Sequence, residues 1–318
     1  MSKAKASSYL AALEIPGTLY FQSVGNALEK AVIKTGSCDG EIYLQGAHIT
    51  HWQPHGEKPV LFLSDKSAFE PGKAIRGGIP IIFPWFGPRT ANSISQRTDG
   101  PSHGFARTTL WQMTGATASG EDVILEFQLP PDANTAALGF ENFNLQYWVR
   151  MGKTLELKLT VTNESEPDRP ANKEAAAICI EEALHTYFAV YELDDVSISG
   201  LANTEYLDKT DGMKRKRQEE KHLKFEGETD RPYLNTHATV SILDHDWHRM
   251  IKIEKEHSKT TVVWNPGKEL SDKMADMQAD GWNRFVCIES ANAGENAVVL
   301  APGESHTMSV KISVEKLK

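Results

Sequence analysis

The sequence predicts an all-β protein: a large two-sheet β-sandwich with a few short helices. Three observations carry that reading. Short runs of period-two alternation recur with turn residues roughly every 8–12 positions, the spacing of a sandwich or barrel. The runs, such as DVILEFQL (122–129) and NLQYWVRM (144–151), are rich in the β-branched and aromatic residues that suit a half-buried pleat. No internal repeat, long linker or break in composition interrupts them. One domain over 21–318 is therefore expected, preceded by an N-terminal extension over 1–20.

Taken in order, Ser7 to Leu13 reads as a short helix on the outside of the fold, with Ser7 or Ser8 as N-cap. From Glu41 the period becomes two, in EIYLQGA, HITHWQP and PVLFL. Next comes RGGIPIIFPWFGPR (76–89), then a polar turn and SHGFAR (102–107). Glycine lets backbone approach closely and proline stiffens the path, so this stretch reads as a shaped loop around a buried strand, Ile79 to Phe83. Arg76, Arg89, His103 and Arg107 cluster on it, which suits an anionic ligand. A tight corner between sheets with surface arginines is the plainer alternative.

RTTLWQM, DVILEFQL, NLQYWVRM and TLELKLTVTN follow, the last two joined at Gly152-Lys153, a hairpin signal. In EAAAICIEEALHTYFAV (174–190) the first half reads as helical and Ile178 to Val190 as one long strand. DVSISG, TVSILD, RMIKIEK, TTVVWNP, RFVCIES, AVVL and TMSVKISVE complete the strands. A helix is expected over Asp272 to Met277, with Ser271 as N-cap. KRKRQEEK (214–221) carries glutamates behind its cations and no interleaved aromatics, so a solvated loop or hairpin tip explains it better than a nucleic-acid patch.

Bulk properties narrow the function classes. The 318 residues are 40% hydrophobic, enough for a sizeable core, and the net charge of −9 argues against non-specific nucleic-acid binding. Cys38, Cys179 and Cys287 form no CxxC or Cys/His cluster, so neither disulfides nor zinc are supported, and buried free thiols are expected at Cys179 and Cys287. The N-terminus lacks a signal-peptide core, and no apolar run reaches the roughly 18 residues of a membrane span. The expectation is a cytoplasmic monomer with no membrane or nucleic-acid partner.

For chemistry, His185 lies inside ALHTYF and Glu289 at the end of the apolar strand Arg284 to Ile288. A histidine among aromatics is commonly a satisfied core residue, and a strand-end carboxylate is commonly just solvated. Together they would make an acid/base couple. Alternation puts Glu289 on the Phe285/Cys287 face, opposite Val286 and Ile288. Asp230, in DRPY, is either a turn former before proline or an acceptor for sugar hydroxyls. His48 and His51 are three apart in a strand and point to opposite faces, which argues against a shared metal. Nucleotide, phosphate-loop, zincin and nucleophile-elbow motifs are absent, so cofactor-free acid/base chemistry remains.

RGGIPIIFPWFG (76–87), SHGFAR (102–107), LHTYF (184–188), TDRPY (229–233) and VCIES (286–290), in that order, carry a resemblance. The chain resembles the hexose-6-phosphate mutarotases, also called glucose-6-phosphate 1-epimerases, a branch of the aldose 1-epimerase superfamily. The resemblance implies a galactose mutarotase-like supersandwich and interconversion of the α and β anomers of glucose 6-phosphate. It implies His185 as general acid, Glu289 as general base, and Arg76, Arg107 and Asp230 as substrate contacts. Ser102 occupies a variable polar position, and His103 a supporting one beside the sugar. Two departures stand out: Gly267 sits where an aromatic is expected at the pocket rim, and the basic 214–221 segment is long. The rivals are an epimerase of unphosphorylated aldoses, against which Arg76 and Arg107 argue, and a non-catalytic sugar-phosphate binder, which would need neither His185 nor Glu289. A glycosidase is disfavoured, because only one carboxylate is persuasive.

Overall fold

A computed structural model describes residues 9–25, 27–92, 94–166 and 177–317. Two antiparallel sheets, of nine and eight strands, lie against a common core, and a four-stranded sheet joins them at one side. The nine-stranded sheet runs in the spatial order His222–Leu223, Val196–Ser199, Val240–Asp244, Arg249–Glu256, Ser305–Lys316, Leu155–Asn163, Phe143–Met151, Asp122–Leu129 and Gln112–Ser119. Strict alternation makes its inner face. Leu145, Tyr147, Val149 and Met151 are buried, and across the Gly152-Lys153 hairpin so are Leu155, Leu157, Leu159 and Val161. Each such side chain contributes roughly 1.5–3 kcal/mol of burial.

The eight-stranded sheet runs Lys214–Arg217, Glu205–Asp208, Thr229–Tyr233, Thr260–Asn265, Phe285–Asn292, Glu182–Leu184 and Ile81–Ile82, with Tyr187–Ala189 also on Phe285–Asn292. Its central strand, Phe285–Asn292, is buried along its whole length. Val286 and Ile288 face the inter-sheet core, with Val263 from the neighbouring strand. Phe285 and Cys287 face the other way, into a second cluster with Tyr187 and Trp264. The expected alternation holds.

Several expectations need correcting. Ile178 to Val190 is not one strand but three, Ile178–Ile180, Glu182–Leu184 and Tyr187–Ala189. The chain breaks step at His185 and Thr186, where the His185 amide donates to Pro80 O and the Thr186 amide to Leu184 O. Glu289 is not at a strand end, because pairing with Thr260–Asn265 and Glu182–Leu184 carries the strand on to Asn292. The expected helix at 272–277 lies earlier, at Gly267–Ser271, and Ser271 ends it. Asn265 Oδ1 accepts from the Gly267 amide and starts that turn, a signal as local as the Ser271 cap but six residues upstream. Of the loop or hairpin tip expected at 214–221, residues 214–217 form the mostly exposed edge strand of a hairpin with Glu205–Asp208. Arg215 pairs with Glu205 and Glu295, and Lys216 with Asp208 and Asp211.

Strands Leu19–Val24 and Leu28–Lys34 precede the expected onset at Glu41, while 59–63 makes only isolated bridges. Leu10 packs in the core rather than lying outside. The Ser7 and Ser8 caps and the helical reading of Glu174 to Ala176 fall outside the described residues. The three cysteines are free, with Cys179 half-buried rather than buried.

Candidate active site

The Arg76 loop sits where it does because the four-stranded sheet holds it from behind. His48 is fully buried and its Nε2 bonds Gly77 O at 2.7 Å. Burial lowers its pKa to about 4, so the ring is neutral and Nε2–H donates. A Cβ on Gly78, at φ +64°, would run into Ile49 O and the His48 ring, so only glycine fits there. His48 is thus a structural prop for the loop. Among the described residues no cluster of three or more His, Cys, Asp or Glu is arranged to hold a metal ion.

That loop, the step at His185 and the face of the central strand enclose one cavity of about 390 Å3. Arg76, Ser102, His103, Arg107, His185, Asp230 and Glu289 all line it, with Lys209, Phe86, Val262 and Trp264 completing the walls. The seven site residues that the resemblance implies therefore meet in a single place. Arg89 does not. Its guanidinium stacks on Trp85 at 4.5 Å and donates to Leu138 O, tying a loop outside the cavity.

At the floor, His185 Nε2 lies 3.4 Å from Glu289 Oε1. The imidazole stacks on Tyr187 (4.9 Å, 10° between planes), with Trp264 edge-on. Glu289 is 1% exposed, and its Oε2 has no hydrogen-bond partner. Burial drives both groups toward neutrality. It raises the Glu289 pKa, helped by Asp230 and opposed by Lys209, and it lowers that of His185, helped by His103, Arg107 and Arg76. Burial therefore favours the shared proton on Glu289.

The remaining groups differ in how firmly they are held. Arg76 donates from Nε and Nη2 to Asp276 Oδ2, both at 3.1 Å, and from Nη1 to the Tyr187 hydroxyl at 2.9 Å. Burial opposes its charge, yet Tyr187 and Asp276 outweigh that and raise its pKa. Arg107 donates from Nη2 to Ser102 O at 2.9 Å, but its Nε is buried without a partner. His103 Nδ1 accepts from the Gly87 amide, which leaves the ring proton on Nε2 as a donor. Burial, then Arg107, Lys209 and Arg76, lower its pKa to about 3, so it stays neutral. Asp230, in the strand Thr229–Tyr233, pairs with Lys209 at 3.2 Å.

Lys209, Asp276, Tyr187, Trp264 and Phe86 were not singled out from sequence. Only Tyr187 and Phe86 sat inside a recognised motif. Lys209 reaches the cavity from the tip of the hairpin made by Glu205–Asp208 and Lys214–Arg217, which nothing local in the sequence announces. Gly267 is not on the cavity wall. A Cβ there, at φ +60°, would meet the Glu228 backbone, so glycine answers a backbone approach rather than opening the rim.

Comparison with known proteins agrees with this picture. The family model for "Aldose 1-epimerase" matches residues 29–313. An Escherichia coli (strain K12) protein named "Putative glucose-6-phosphate 1-epimerase" is 35% identical over 279 residues, covering 88% of each chain. The crystal structure of a "putative mutarotase" from Salmonella typhimurium superposes with a TM-score of 0.85 at 30% identity, over 98% of this chain and 99% of that one. A galactose mutarotase-like protein from Clostridium acetobutylicum shares the fold alone, with a TM-score of 0.68 at 13% identity over 94% and 99% of the two chains.

Proposed function

The chain belongs to the aldose 1-epimerase family, and we propose that it interconverts the α and β anomers of glucose 6-phosphate and related hexose 6-phosphates. The observation that carries the substrate class is Arg107. It lines the cavity with no carboxylate at ion-pair distance among the described residues, whereas the other two cations there are matched to carboxylates. An unmatched guanidinium suits a phosphate, whose oxygens accept charge-assisted hydrogen bonds. A neutral sugar gives no reason to keep that charge. The relatives' printed names point the same way.

The reaction needs a proton taken from O1 and another delivered to the ring oxygen. With the shared proton moved across to His185 Nε2, Glu289 as carboxylate accepts the O1 proton while the imidazolium donates from Nε2–H to the ring oxygen. The bond from C1 to the ring oxygen breaks and C1=O1 forms. Rotation about C1–C2 turns the other face of the aldehyde to the hydroxyl at C5. On closure that hydroxyl returns its proton to His185, and Glu289 returns the first to O1. Positioned groups of this kind contribute roughly 10²–10⁴-fold. His103 Nε2–H is a neutral donor for the ring oxygen or an adjacent hydroxyl, and Asp230 an acceptor for another. Trp264 and Phe86 supply apolar walls for the sugar faces.

Saturation-transfer NMR of anomer exchange, with glucose 6-phosphate, glucose and galactose at equal enzyme, tests this. Faster exchange of the phosphorylated sugar alone is expected. Exchange of all three at similar rates would instead mark a general aldose epimerase, and binding without exchange a regulator.

A further inference from the structure

The cavity's cations are unevenly compensated. Arg76 is matched by Asp276 and Lys209 by Asp230. Arg107 has no carboxylate within ion-pair distance among the described residues. The two halves of the acid/base couple face different charges. Around His185 lie Arg107, Arg76, the neutral ring of His103 at 5.8 Å, the stacked Tyr187 and the edge of Trp264. Around Glu289 lie Asp230 and Lys209, with the thiol of Cys287 and the hydroxyl of Tyr187 on the same face. The arginines thus repel positive charge on His185 selectively, and a dianion held against Arg107 cancels that repulsion where it acts.

We infer that an oxyanion held by Arg107 activates the His185–Glu289 couple as well as anchoring the sugar, so that free phosphate or phosphite switches on anomer exchange of an unphosphorylated hexose. The inference rests on the function proposed above and adds a control to the same site. The step is one proton transfer: the proton on Glu289 crosses 3.4 Å to His185 Nε2. It leaves a carboxylate base and an imidazolium acid, and the couple's net charge is unchanged. Burial of both groups opposes that transfer, and an anion beside Arg107 offsets the opposition. A cavity of about 390 Å3 lies within the usual range for sites that enclose small molecules, and it admits a hexose beside a separate small anion.

The test is glucose anomer exchange by wild-type protein with increasing sodium phosphite, then inorganic phosphate, after subtracting the enzyme-free rate and the rate with Glu289→Gln at each concentration. A saturable rise of at least fivefold supports the inference. So does its loss in Arg107→Met together with partial retention in Arg107→Lys, which keeps the charge should the neutral variant fold poorly. Wild-type protein that exchanges glucose 6-phosphate while phosphite leaves glucose exchange flat, or only inhibits, overturns it and leaves the proposed function standing. No exchange of glucose 6-phosphate and no response to phosphite overturns both.

Discussion

Glu289 is a carboxyl group on a fully buried strand, with one oxygen 3.4 Å from an imidazole and the other without a partner. A group buried for packing alone would be neutralised by hydrogen bonds on both oxygens. As a lining residue of the cavity, the carboxyl group is placed to meet a substrate hydroxyl. Glu289→Gln keeps the shape and removes the base, so turnover should fall by about 10²–10⁴-fold while phosphate or sugar-phosphate binding stays within about tenfold. Exchange NMR and calorimetric titration check the two halves, and near-normal exchange would remove Glu289 from the mechanism. The arginines separate in the same way. Arg107→Met should raise KM for glucose 6-phosphate by about 10–100-fold, as expected for one charge-assisted phosphate contact worth about 1.5–3 kcal/mol, while the slow exchange of glucose should rise rather than fall, because the charge that repels a proton on His185 goes with the side chain. Arg76→Met should impair both sugars alike, because Arg76 braces Tyr187, on which His185 stacks. These roles were legible from sequence only as residue types in recognised motifs. The division of labour was not, because Asp276, which neutralises Arg76, lies 200 residues away in the chain.

At the scale of elements, the basic run at 214–217 gains its meaning from its pairing. As an edge strand it lies against Glu205–Asp208 with Glu205↔Arg217 and Asp208↔Lys214 in register. The connecting turn is capped by Asp208, whose Oδ1 accepts from the Thr210 amide and hydroxyl. The next residue, Lys209, is thereby pointed at Asp230 and over the Phe86 ring. The charges on the strand are individually weak surface pairs, yet the hairpin they decorate delivers a cation to the cavity. Lys209→Met should unmask Asp230 beside Glu289 and make Glu289 harder to ionise. Exchange at neutral pH should drop by about tenfold with little change in KM, and Lys209→Arg should restore most of it; a loss confined to KM would recast Lys209 as a direct substrate contact. The break at His185 is the other element-scale feature that sequence concealed. Alternation and β-propensity run straight through Ile178 to Val190, because both describe local preference. What stops the strand is a backbone bond to Pro80, contributed by a distant loop.

For the whole molecule, the sandwich class and the core faces were legible because they follow from alternation, whereas the additional four-stranded sheet was not. The closure of the sandwich's two ends was not, because it depends on isolated polar residues at inward positions. At one end Arg249, from the nine-stranded sheet, reaches Ala189 O of the other sheet at 2.6 Å, with Asp244 at 3.5 Å. At the other end His306 Nε2 meets the buried Glu182 at 2.9 Å across the sheets. Nearby, Lys255 extends from the nine-stranded sheet to Thr260 O at 2.9 Å and Ser258 Oγ at 3.1 Å. The last two clamps respond to pH in opposite senses. Glu182 raises the His306 pKa against the effect of burial, so the folded state holds that proton more tightly. Its stabilisation is complete below the unfolded value near 6.5 and is lost as pH rises through the folded value. Burial lowers the Lys255 pKa from 10.5 to about 7, so there the unfolded chain binds the proton more tightly. Stability from that residue rises between about pH 7 and 10.5 and is diminished below. Urea unfolding midpoints measured from pH 5.5 to 10 should therefore show a fall above pH 6.5 that His306→Gln removes. A rise above pH 7, worth on the order of a few kcal/mol, should disappear in Lys255→Met. Parallel curves for wild type and Lys255→Met across that range would mean that the ammonium is hydrated in the folded protein and that this end of the sandwich is open to water.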